Sequence, residues 1–162
     1  MTFFLVEIMG GVRYNESVSK RANQNWEAIL LQWIYLIGEE YFTLNTISNM
    51  KFEDSKLINK SNEQLEIRFD NNDYVIFYKE ENSEFFRRNF EPQEFKEYLK
   101  ILPFDNPRWI MLKYNNVAIL RKIISGKEFP SDVIIDCDGV DLGLEEVFDK
   151  SRIIENGPPA KF

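Results

Sequence analysis

The chain has 162 residues, 44% of them hydrophobic and 15% aromatic, which is material for one domain with a sizeable core and too apolar for a disordered chain. Acids outnumber bases 27 to 20, a formal charge of -7. Such a surface repels phosphate backbones and anionic membranes and suits a basic protein partner, so neither nucleic acid nor a membrane is expected.

Histidine is absent, which removes Ser-His-Asp and Cys-His catalysis, His-ligated zinc and facial-triad iron. The single cysteine, Cys137, has no second cysteine for an internal disulfide or a thiolate cluster. No cofactor is expected. The start, MTFFLVEIMGG, lacks a positive segment and is interrupted by Glu7, unlike a signal peptide. The apolar stretch AILLQWIYLI, 28 to 37, is far short of the ~18 residues that span a bilayer. These features lead to the expectation of a cytoplasmic protein, in which Asn15-Glu16-Ser17 and Asn59-Lys60-Ser61 are chance glycosylation patterns.

In chain order, Phe3 to Ile8 is rich in strand formers and ends at Gly10-Gly11. Trp26, Ile29, Leu30, Trp33, Ile37 and Tyr41 recur at helical spacing, which predicts a long helix from about Ala22 to Tyr41 with Asn23 or Asn25 as its cap. Leu31, Tyr35 and Leu36 add apolar groups on its flanks, so burial on more than one side is expected. Ile47 to Phe52 could supply a strand. Leu65, Ile67 and Phe69 alternate with Glu66, Arg68 and Asp70, and Asn71-Asn72-Asp73 turns the chain into Tyr74 to Tyr78, which reads as a hairpin.

Pro92 opens a second helix carrying Phe95, Tyr98, Leu99 and Leu102, stopped by Pro103. Trp109–Tyr114, Val117–Ile124 and Val133–Cys137 read as strands separated by turns at Asn115-Asn116 and Gly126 to Pro130, although Trp109 to Tyr114 also fits a helical turn. Leu144 to Phe148 reads as a short helix, and the chain from about 151 as an extended tail. The expected architecture is therefore α+β: a single domain, 1–162, with an antiparallel sheet of hairpins packed against a long N-terminal helix and a shorter second one.

One octapeptide, VIIDCDGV at 133 to 140, resembles the nucleophile motif of the haloacid dehalogenase phosphohydrolases. The resemblance implies Asp136 as nucleophile, Asp138 as the acid that protonates the leaving group, and Mg²⁺. That family carries the motif early, on the first strand of a parallel sheet, and follows it with further catalytic strands. Here little chain follows Gly139, and Asp141 stands where an apolar residue is usual. An EF-hand register through Asp136, Asp138, Gly139 and Glu145 would put Ile134 at the first ligand position. The expectation is instead that Val133, Ile135 and Cys137 face the core, Asp136 and Asp138 face water, and Asp138-Gly139 forms a turn.

Other fragments are equally incomplete. Asp54-Ser55-Lys56 and Glu94-Phe95-Lys96 match half of a nuclease metal motif at a frequency that chance supplies, Ser17-Val18-Ser19-Lys20 lacks a Lys-Thr-Gly partner, and Ser125-Gly126-Lys127 lacks the flanking residues of a phosphate loop.

In size, acidity and poverty of catalytic groups the chain is similar to bacterial immunity proteins and antitoxins, which block a toxin with acidic side chains. The resemblance implies a non-enzymatic inhibitor of a basic, nuclease-type toxin domain. The expected contact residues are Asp136, Asp138, Asp141, Glu145 and Glu146, with Tyr74 or Tyr78 as aromatic anchors. A small metal-dependent phosphohydrolase or nuclease using clustered carboxylates, and a phage inhibitor or adaptor subunit, are the competing readings.

Overall fold

The computed structural model describes residues 32–154. Backbone contacts separate 1–31 from 32–162, and the account below is of the second unit. Its strands form one eight-stranded sheet.

β1 (Gln32–Gly38) lies inside that sheet, with β6 (Arg108–Tyr114) on one side and β7 (Ile134–Asp136) on the other, both antiparallel to it. This corrects the expected helix from Ala22 to Tyr41: its second half is a strand, and residues 22–31 lie outside those described. The cause is in the composition of the segment. Trp33 to Ile37 is a continuous aromatic and branched run, as a strand buried on both faces requires, and such a run also satisfies helical spacing. Ile34 and Leu36 serve one hydrophobic core and Ile37 the other.

After β1 the chain turns at Glu39 and enters α1 (Leu44–Ser48), where Thr43 and Thr46 form a capping box. The strand expected at Ile47 to Phe52 is thus partly this helix. β2 (Ser55–Lys60) follows as the edge of the sheet, then β3 (Gln64–Phe69) and β4 (Tyr74–Tyr78), the hairpin read from sequence. β4 pairs with β6. β5 (Glu81–Asn82) continues along the same strand with the register slipped by one residue, since Phe77 faces Leu112 but Glu81 faces Trp109.

α2 (Ser83–Phe86) and α3 (Pro92–Lys100) come next. α3 matches the sequence reading, with Pro at its first turn. Phe86, Phe95, Tyr98 and Leu102 pack with Ile37, Trp109 and Ile134 to make the second core, where Phe86 stacks on Trp109 with ring centroids 4.5 Å apart.

α4 (Val117–Ile124) replaces an expected strand. Asn116 caps it by accepting a hydrogen bond from the Ala118 N–H, and Ile119, Leu120, Ile123 and Ile124 fall on one helical face in the first core, opposite Ile110, Leu112 and Ile135 of the sheet. β8 (Ile153–Ile154) then pairs with β7, the one parallel pair among the described strands. The chain at 150–154 is therefore a short 3₁₀ turn and a strand, not a tail. The expected strand at Phe3 to Ile8, the glycosylation pattern at Asn15 and the final GPPAKF lie outside the described residues. No helix among the described residues is long and apolar enough to cross a membrane.

Candidate functional site: the acidic loop after strand β7

Seven carboxylates and no base occupy 132 to 149. The structure divides them into an engaged set and a displayed set. Asp132 accepts a hydrogen bond from the Tyr41 hydroxyl, which holds that phenol's pKa up at about 12.

Asp136 is buried, with 5% of its surface exposed, against the expectation that it faces water. It lies opposite Tyr35 on the sheet face covered by α3, because the strand alternation that sends Ile135 into the first core sends Ile134 and Asp136 toward the second. The Tyr98 hydroxyl donates to Oδ2 at 2.8 Å, the Trp109 indole donates to that hydroxyl at 3.2 Å, and the Asp138 N–H donates to Oδ1 at 2.9 Å. Burial raises the Asp136 pKa, opposed by the hydrogen bonds from Asp138 and Tyr98. Desolvation likewise pushes the Tyr98 and Tyr35 phenols well above their ordinary range, reinforced by the neighbouring carboxylates.

Beyond Asp136 the chain makes a tight turn in which both Asp138 and Gly139 are left-handed, at φ 54° and 84°, and the Val140 N–H returns to the Cys137 carbonyl. This is the turn expected at Asp138-Gly139. Asp141 accepts from the Gly143 N–H at 3.0 Å, and Leu144, 1% exposed, anchors a 3₁₀ turn (Leu144–Glu146) in the first core.

Arg121 of α4 fastens this loop, donating to the Gly143 carbonyl at 2.7 Å, the Leu142 carbonyl at 3.3 Å and Glu146 Oε1 at 2.7 Å. Asp149 accepts from the backbone and hydroxyl of Ser151, which lower its pKa. Asp138, Asp141, Glu145 and Glu146 are exposed.

Tyr74 and Tyr78 are half-buried on β4, under Arg68 and Lys113 respectively, and burial raises both phenols. β6 and β1 intervene between β4 and β7, so the tyrosines sit three strand positions, roughly 14 Å, from the strand that leads into the loop. The structure does not bring them together with the acids.

Three residues enter the site that the sequence did not single out for it. Tyr98 and Trp109 complete the Asp136 network, and Arg121 ties the loop down. A buried tyrosine hydroxyl needs a partner, but nothing in a sequence says that the partner is 38 residues away.

Chemically the arrangement can receive cations on its outer side. Among the described residues no group of three His, Cys, Asp or Glu side chains is placed to hold a metal ion. The dehalogenase-like setting is also missing, because β7 runs antiparallel to β1 and Asp136 is engaged inside the protein. Comparison of the chain with protein families, with characterised proteins and with solved structures finds no match.

Proposed function

We propose that this is an acidic binding protein that neutralises a basic partner in the cytoplasm, in the manner of a bacterial immunity protein blocking a nuclease-type toxin, and that the loop from Asp138 to Glu146 makes the contact. The observation that carries the reading is the combination of exposed Asp138, Asp141 and Glu145 with the Arg121 tether. An acidic loop already held in shape loses less entropy on binding than a mobile one, and its field steers a cationic partner toward it. Asp136 takes no part in this contact, because its carboxylate is buried and accepts from Tyr98.

The test is affinity capture from the native organism, identification of the partner, and titration of the purified pair. A basic toxin domain whose activity is inhibited, with affinity falling by about 2 to 5 kcal/mol when a desolvated acid such as Asp141 or Glu145 is changed to Ala, supports the proposal. A tight partner indifferent to Ala at Asp138, Asp141, Glu145 and Glu146 would move the interface elsewhere. Stoichiometric Mg²⁺ or Mn²⁺ binding with phosphoester hydrolysis would replace neutralisation by catalysis.

A further inference from the structure

We draw no further inference here: the strongest candidate, the half-open sheet face on which Arg68, Tyr74, Ile76, Tyr78 and Lys113 lie side by side, carries nothing because nothing in the structure shows what covers it.

Discussion

Tyr98 stands between two buried groups, accepting from the Trp109 indole and donating to Asp136. Tyr98→Phe removes one oxygen and leaves both partners, the buried Trp109 and Asp136, short of a hydrogen bond. The expected loss is about 1 to 3 kcal/mol of folding stability, measured by urea unfolding. An unchanged midpoint would mean that the network contributes nothing net. Glu81 offers a different residue-scale test. The one-residue slip between β4 and β5 sets it opposite Trp109, and desolvation raises its carboxyl from 4.5 to about 6. A folded-state pKa above the unfolded one means that protonation favours folding. Glu81 therefore contributes stability that is present below its unfolded value and lost as pH rises through about 6. Asp136 shifts in the same direction. Glu81→Gln should gain on the wild type as pH rises from 4.5 to 7, a widening that thermal melts across that range would detect. A gap that stays constant would overturn the assignment. Neither the burial of Asp136 nor the partial burial of Glu81 was legible from sequence. Asp136 alternates correctly with its apolar neighbours for a strand with one wet face, and only the packing of α3 over that face makes it interior.

At the scale of elements, the legible parts are those with local punctuation. In the β3–β4 hairpin the first strand alternates strictly and Asn71 to Asp73 marks the turn, and α3 is bracketed by Pro92 and Pro103. β1 reads as helix and α4 as strand because both are short, apolar and rich in branched residues. Trp33 to Ile37 gives no alternation when both faces are buried, while Val117, Ile119, Ile123 and Ile124 look like strand formers until Asn116 is seen capping the first turn. The acid density of the loop after β7 was legible, but its tether was not, since Arg121 reaches it from another element. Arg121→Ala should release that loop. We expect a stability loss of about 1 to 3 kcal/mol, and faster amide exchange at Val147 and Phe148, whose N–H groups bond to the Leu144 carbonyl. Unaltered exchange at those two amides would show that Leu144 alone holds the turn.

For the molecule as a whole, a charge of -7 sets a long-range field, and the proposed contact converts it into association kinetics. Exposed acids at the rim of an interface act mainly on the on-rate. With the captured partner in hand, the association rate should fall as salt is raised through about 0.15 M, where the Debye length is ~8 Å. Single Ala changes at rim acids should flatten that dependence while leaving dissociation nearly unchanged, as stopped-flow mixing would resolve. An association rate indifferent to salt is incompatible with steering by this surface.

The location of β1 has a consequence for synthesis. Its neighbours in the sheet come from far downstream: Tyr35 lies beside Met111 on one side and Asp136 on the other. During translation at about 5 to 20 residues per second, a strand with apolar side chains on both faces waits several seconds before either edge is paired. The strand therefore closes late relative to its own synthesis, and its apolar faces are exposed on the nascent chain until β6 and β7 are made. Chains ended at Pro130, before β7 is made, should pellet on expression, whereas chains ended after Ile154 should remain in the supernatant.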